Sequence, residues 1–284
     1  MKSKSIKLIL SLVIIVLLFS IVLVVRKILN VENKEVKVAK EFIEELYYGG
    51  IIDYTEGIAE EEQALNKSNK RNSNIKYSVM IGNYGVDIDS DYNILAFSNK
   101  NVDGNDMVLE KAISFNYNYN DSKNITEDEA IYLAESYLNK ITKEKYTIKK
   151  VKVEDRRSPI YKISFYKYKD KYPYYKEETT ISINKNTGKL EAYTNYPILD
   201  MKYIEDISIT EQEAINIIKN NYADSDLNIS IDDKCKLAYV TVDEKEMALA
   251  YIFNIEKADE ESVNFVRADN GQILNNIAEV IKAN

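Results

Sequence analysis

The sequence predicts an α+β protein of tandem small modules, each a helix packed on an antiparallel sheet, behind an N-terminal transmembrane helix. Three observations carry this. An unbroken apolar run opens the chain. A helix-opening signal occurs twice, as ITEDEA and ITEQEA, 84 positions apart. A strand–turn–strand pattern, TTISINKNTGKLEAYTN from Thr179 to Asn195, returns as SVNFVRADNGQILNN, its glycine 83 positions further on.

The apolar run LILSLVIIVLLFSIVLVV covers Leu8 to Val25 and is broken only by Ser11 and Ser20. At about 1.5 Å per residue it is just long enough to span a bilayer. No small-residue cleavage signal ends it, so it reads as an uncleaved anchor rather than a removed signal peptide. A buried core helix is the weaker alternative, since no core helix needs apolar faces all round for five turns. The basic flanks, Lys2, Lys4 and Lys7 before and Arg26, Lys27, Lys34, Lys37 and Lys40 after, leave orientation undecided.

The first full unit begins at Thr126. Thr126 and Glu129 have capping-box spacing, and Ala130, Leu133, Ala134, Tyr137, Leu138 and Ile141 make one apolar stripe at helical intervals. Thr210 and Glu213 repeat the box, and Ala214, Ile217, Ile218 and Tyr222 repeat the stripe. β-prone segments follow each helix and end in the hairpins that turn at Gly188 and Gly271, where glycine supplies a positive φ. Pro159, Pro173 and Pro197 mark strand boundaries. A degenerate upstream copy has a stripe at Val36, Ala39, Phe42, Ile43, Leu46 and Tyr47. Its GVDIDSDYNILAFSN aligns with TISINKNTGKLEAYTN, so that Val86 and Ile88 match Ile181 and Ile183 and AFSN matches AYTN. The polar EEEQALNKSNKRNSN between reads as a loop or frayed helix, and 99–106 as a turn-rich connection. The expected segments are therefore 1–30 for the cytoplasmic tail and anchor, 31–106 for the degenerate module, and 107–202 and 203–284 for the two full modules.

Composition narrows the chemistry. There is no His, no Trp and a single Cys, Cys235, read as a buried thiol. That removes imidazole acid–base chemistry, His-based zinc sites and the common nucleophilic triads. No motif points to a catalyst built from carboxylates, Lys or Tyr, so the expectation is a non-enzymatic protein with no cofactor. Five of the 38 basic residues fall in the first 27 positions, leaving 33 basic against 46 acidic residues downstream. Such an acidic body disfavours nucleic acid. Asp87, Asp89, Asp91 and Asn93 begin like a calcium loop, but Tyr92 and Ser98 stand where glycine and the final acid belong, so a solvated strand and turn is expected there.

A capped helix opening T-x-x-E-A, followed by strands and a turn of the type D-x-x-T-G-K/E-V, resembles the PepSY domain. The pieces are ITEDEA with ISINKNTGKLEAY, and ITEQEA with FVRADNGQILN. Two copies behind an anchor resemble the PepSY-like repeats of YcdB/YcdC-type and sporulation-associated membrane proteins of Gram-positive bacteria. The resemblance implies a small α+β module outside the cytoplasmic membrane, hence a single-pass protein with an extracytoplasmic body in the cell envelope. It implies binding or regulation, and it supplies no catalytic residues. Asn184 replaces the usual turn Asp in one copy, and the acid is shifted to Asp269 in the other. Inhibition of an envelope peptidase in trans and a structural part in spore or envelope assembly are the alternatives.

One stretch stands out as a partner-binding surface. From Lys149 to Lys176 there are ten basic and three acidic residues, interleaved with tyrosines. Lys162, Tyr166, Lys167, Tyr168, Lys169, Lys171, Tyr174 and Tyr175 are the candidate residues for an envelope protein, a peptidase or an anionic wall polymer. Ordinary strands, one face buried and the other solvated by lysines, are the plainer reading of the same alternation.

Overall fold

Both helix-opening signals fold as their spacing predicts. The computed structural model describes residues 33–53, 63–67, 74–100, 124–152, 158–198, 200–222, 228–233, 235–243, 245–257 and 260–275. The Thr126 hydroxyl accepts the Glu129 amide while Glu129 accepts the Thr126 amide, and α2 (Glu127–Ile141) follows. Thr210 and Glu213 do the same for α3 (Glu211–Asn221). These reciprocal bonds hold both glutamates below the usual carboxylate range. The upstream α1 (Lys34–Tyr48) has no side-chain cap at Asn33. It stops in a Schellman turn, with the Gly50 amide on Tyr47 O, the Ile51 amide on Leu46 O, and Gly50 at φ +69. The candidate anchor at 8–25 lies outside the described residues. Among those described, no helix is long and apolar enough to cross a membrane.

After α1 come β1 (Gln63–Lys67), β2 (Tyr77–Ile81), β3 (Tyr84–Ile88) and β4 (Ile94–Asn99). After α2 come β5 (Thr147–Lys152), β6 (Ile160–Lys169), β7 (Tyr172–Asn184) and β8 (Leu190–Thr194). The pairing runs β1-β2-β3-β4-β8-β7-β6-β5, so the two halves meet through their last strands in a palindromic order. At the seam Phe97 stands opposite Tyr193, flanked by Ala96 with Thr194 and Ser98 with Ala192. The similar AFSN and AYTN thus pair antiparallel with each other. α1 and α2 cover the same face, and one apolar core takes side chains from both: Ala39, Ile43, Val86, Ile88 and Phe97 with Ala134, Leu138, Ile163, Ile181 and Tyr193.

The chain then forms β9 (Lys202–Ile204), α3, β10 (Asn228–Ile231), β11 (Leu237–Asp243), β12 (Glu246–Lys257), β13 (Glu260–Arg267) and β14 (Ile273–Asn275). β12 is the axis of this part. It pairs with β10 and β11 along one edge, and with β13 and the parallel β9 along the other. Its side chains alternate between two cores. Met247, Leu249, Tyr251 and Phe253 join Ala214 and Ile218 of α3, whereas Ala250 and Ile252 face Tyr166 and Cys235. Both faces of this sheet are therefore buried, which explains the near-continuous apolar run ALAYIFNI. A parallel bridge from Tyr239 to Tyr174 joins it to β7, giving one sheet of 14 strands among the described residues.

Two expectations change. The strands do not close into separate small sheets, because β4 and β8 each leave an edge that the other satisfies. Gln63–Lys67, expected in a loop or frayed helix, is a strand paired in register with β2. The Asp87 region behaves as a strand and turn. Asp87 accepts the Ser78 hydroxyl at 2.6 Å, and Asp89 accepts the Asp91 and Asn93 amides. Tyr92 holds the positive φ of 68° that glycine holds in the later turns, with its ring stacked on Tyr77 and Lys34 Nζ 3.7 Å above it. Most of the 99–106 connection lies outside the described residues.

The seam contains a buried carboxylate. Glu191 accepts Asn184 Nδ2 and Asn99 Nδ2, each at 2.8 Å, so its two oxygens join β8 to β7 and to β4. Burial pushes its pKa up, the two amide bonds oppose that, and Asp53 adds to the rise. Lys189 bonds Gly50 O at 2.7 Å and lies 3.7 Å from Asp53, tying the end of α1 to the start of β8.

Two outcomes are expected. A Cβ at Gly271 would meet Ile217 Cδ1 at 2.8 Å with φ at +73, whereas one at Gly50, φ +69, meets nothing within 4 Å. Gly271→Ala therefore costs about 2–3 kcal/mol in urea unfolding and Gly50→Ala about 1 kcal/mol. A folded pKa raised above the unfolded one makes the ionised form unfavourable in the native state. Glu191 hence costs no stability at acid pH and destabilises progressively as pH rises through its pKa. Unfolding measured from pH 4 to 8 should show Glu191→Gln gaining on the parent as pH rises. A constant or falling difference contradicts the assignment.

Candidate functional site

The Lys/Tyr stretch lies mainly on β6, β7 and the tip between them, where Asp170 turns with φ at +54. Strand alternation separates successive side chains onto opposite faces. Here both faces of the hairpin tip are covered, so the stretch does not form one open surface. Of the eight candidate residues, Lys171 is exposed, Tyr166, Lys167 and Tyr174 are buried, and Lys162, Tyr168, Lys169 and Tyr175 are half-buried.

On one face Tyr166, Tyr168 and Tyr175 pack with Cys235, Val240 and Phe265 of the β9–β14 part. The Tyr175 and Phe265 rings meet edge-on at 4.9 Å. Lys149 donates to Tyr175 O, lies 3.4 Å from Glu178, and sits near the Tyr166 and Tyr175 rings. Desolvation lowers the Lys149 pKa against the pull of Glu178, while burial pushes the Cys235 thiol up to about 11 and the Tyr166 phenol upward. Cys235 is therefore a protonated, inert packing group at neutral pH.

On the other face Tyr174, Tyr203 and Tyr239 form an aromatic cluster, with the Tyr174 and Tyr203 hydroxyls 3.0 Å apart and the Tyr174 and Tyr239 rings at 5.4 Å. Lys169 closes it with a 2.5 Å ion pair to Glu205 and lies 4.8 Å from the Tyr203 ring centre. The Lys169 bond first, and then the hydroxyl that Tyr239 donates, hold the Glu205 carboxyl low, while Tyr239 itself rises to about 12 through burial and the Glu205 bond. Lys167 donates to Tyr196 O at 2.6 Å, and desolvation lowers its pKa. A shallow, open depression of about 560 Å³ beside this cluster is lined by Asp170, Lys171, Tyr172, Glu205, Ile207 and Tyr239. No group of three or more His, Cys, Asp or Glu among the described residues is placed to hold a metal.

Lys162 belongs elsewhere. It points away from the helices, on the face of the β1–β8 sheet that no described helix covers, and is paired in register with Lys152 of β5 on one side and Ser182 of β7 on the other. The sequence pattern had joined it to the tyrosines because it shares their strand. Lys150 and Lys152 were not among the candidates, although their alternation with Ile148 and Val151, across a bulge at Lys149, sets them on this open face.

Comparison with solved structures finds the Bacillus megaterium YpeB C-terminal domain, at a TM-score of 0.53 and 15% identity, over 86% of this chain and 97% of that one. The likeness is one of fold. No family model matches the sequence, and no curated protein matches it.

The joint and the surface respond differently to mutation. Tyr166→Ala and Tyr174→Ala should each cost about 3–5 kcal/mol in urea unfolding, as buried aromatic truncations do, whereas Lys171→Ala should stay within about 0.5 kcal/mol of the parent. Equal, small effects at all three would return the tyrosines to a solvent-facing role.

Proposed function

We propose that this chain is a non-enzymatic binding protein of the cell envelope, anchored through residues 8–25 with its body outside the membrane and built from PepSY-like units. The observation that carries the reading is the recurrence of helix, antiparallel strands and a turn with positive φ at Tyr92, Gly188 and Gly271. The fold shared with the YpeB C-terminal domain over 86% of the chain supports it loosely. Kinship with YcdB/YcdC-type proteins rests on the short sequence motifs. The strongest concentration of aromatic and basic chemistry is used to join β6 and β7 to the β9–β14 part of the sheet, which favours a rigid platform over a reaction site. The partner is an envelope component, protein or polymer. Regulation of a peptidase in trans would appear as a changed peptidase rate on adding the chain.

The test is topological and then biochemical. Protease added to intact protoplasts expressing the full chain should remove the body and leave the anchor, and affinity capture from their envelopes should recover a saturable partner. A body protected until the membrane is opened contradicts the envelope reading.

A further inference from the structure

The depression beside the tyrosine cluster is built from three separate segments. Asp170, Lys171 and Tyr172 come from the tip between β6 and β7, Glu205 and Ile207 from the segment between β9 and α3, and Tyr239 from β11. It therefore lies where the β1–β8 and β9–β14 parts meet, and ligand sites favour such junctions. Its volume of about 560 Å³ falls within the range of small-molecule sites, roughly 300–1,000 Å³.

Its charges are already balanced. Lys169 bonds Glu205 Oε1 at 2.5 Å and Asp170 Oδ2 at 3.2 Å, and Tyr239 donates to the same Glu205 oxygen. Lys171 is the second cation, exposed, with its Nζ 4.7 Å from the Tyr172 ring centre. Two carboxylates thus stand with two ammonium groups, and no net charge is left to select an ion. Hydrogen-bonding capacity is not used up in the same way. These bonds leave Glu205 Oε2 and Asp170 Oδ1 as acceptors, on side chains 51% and 79% exposed. Lys171 offers N–H donors, and the half-buried Tyr172 hydroxyl bonds no other described residue. Apolar surface lies beside these groups: Ile207 is 46% exposed, and the Tyr172 ring is held edge-on to Tyr239 at 6.3 Å.

We propose that this depression binds one ring of an uncharged polysaccharide of β-linked pyranose units. A polyhydroxylated ring uses acceptors, donors and apolar surface together. Its C–H groups lie on Ile207 and Tyr172, while its hydroxyls donate to Glu205 Oε2 and Asp170 Oδ1 and accept from Lys171. A wholly apolar ligand would bury those charged groups without partners, and an ion meets a site already balanced. The shallow, open form lets a chain run through, with an inner ring seated and its neighbours projecting on both sides. Equatorially linked units suit this best, because they present flat C–H faces. The proposal rests on the envelope reading only for where such a polymer is met.

The test titrates the full chain with chitohexaose and with cellohexaose by calorimetry, in a polyoxyethylene detergent that carries no sugar. Saturable binding of at least one is expected, equal at low and high salt because the ligand is uncharged. Lys171→Ala should bind about fivefold more weakly, the worth of one hydrogen bond, and Tyr172→Ala about tenfold. Ile207→Ser should fall between them, and Tyr132→Ala, exposed on α2, should bind like the parent. Tyr172→Ala also removes packing, so Lys171→Ala and Ile207→Ser, both at exposed positions, carry the decision, with thermal midpoints checked beside binding. No saturable binding of either sugar overturns the site, as do exposed variants that both bind like the parent. Binding that collapses as salt rises overturns the uncharged ligand. A casein digest that displaces the sugar at equal mass overturns the choice of a polysaccharide over a peptide. The two readings fail separately. A protease-accessible body that binds neither sugar removes this site alone, and a protected body that binds one removes the envelope reading alone.

Discussion

The antiparallel pairing of β4 with β8 governs the rest of this structure. Each strand is the last of its half, and each would otherwise present a bare edge. Their register sets Phe97 opposite Tyr193 on the helix-covered side, where Phe97 also stacks on Tyr84 at 5.3 Å and meets Phe42 edge-on. A slip of β8 by one residue would turn Tyr193 out to the open face and bring Ala192 and Thr194 into the core. The pairing therefore fixes three things together: a continuous sheet, one core beneath α1 and α2, and a small, polar opposite face. Glu191 sharpens this register, because its two oxygens meet Asn99 and Asn184 only where β4, β8 and β7 are aligned as they are.

The same economy of surfaces explains the far end of the hairpin. β12 presents apolar side chains on both sides, and α3 covers only one. Tyr166, Tyr168 and Tyr175 cover the other. Aromatic groups with hydroxyls suit such a joint, since each buries a large area while its oxygen finds a partner, as Tyr168 does at Thr147 and Tyr174 at Tyr203. Lys149, Lys167 and Lys169 bury their stems alongside and take oxygen partners at Tyr175, Tyr196 and Glu205.

Local features were legible in the sequence because local physics sets them. The boxes at Thr126 and Thr210, the stripes of α2 and α3, and the turns at Gly188 and Gly271 all depend on residues within a few positions of one another. The stop of α1 was also written locally, in the Gly49–Gly50 pair after the stripe. Other features depend on distant partners. Gln63–Lys67 is a strand because β2 offers it an edge, and the polar sequence gives no sign of that. The likeness of AFSN to AYTN revealed a repeat but not that the two copies pair with each other. Alternation in β6 and β7 was visible, but whether each face meets water or another sheet is decided by residues about 70 positions later. For the same reason the candidate residues mixed the buried Tyr166 and Tyr174 with the exposed Lys171.

Amide hydrogen exchange tests the central claim most directly, because it reports whether the two halves open separately. If the β4–β8 seam fuses them into one cooperative sheet, the Phe97 and Tyr193 amides exchange only with global unfolding. They should share one opening free energy with Val79 of β2 and Ile163 of β6. Exchange of β2–β4 as a unit of lower stability, with β6–β8 still protected, would contradict the account.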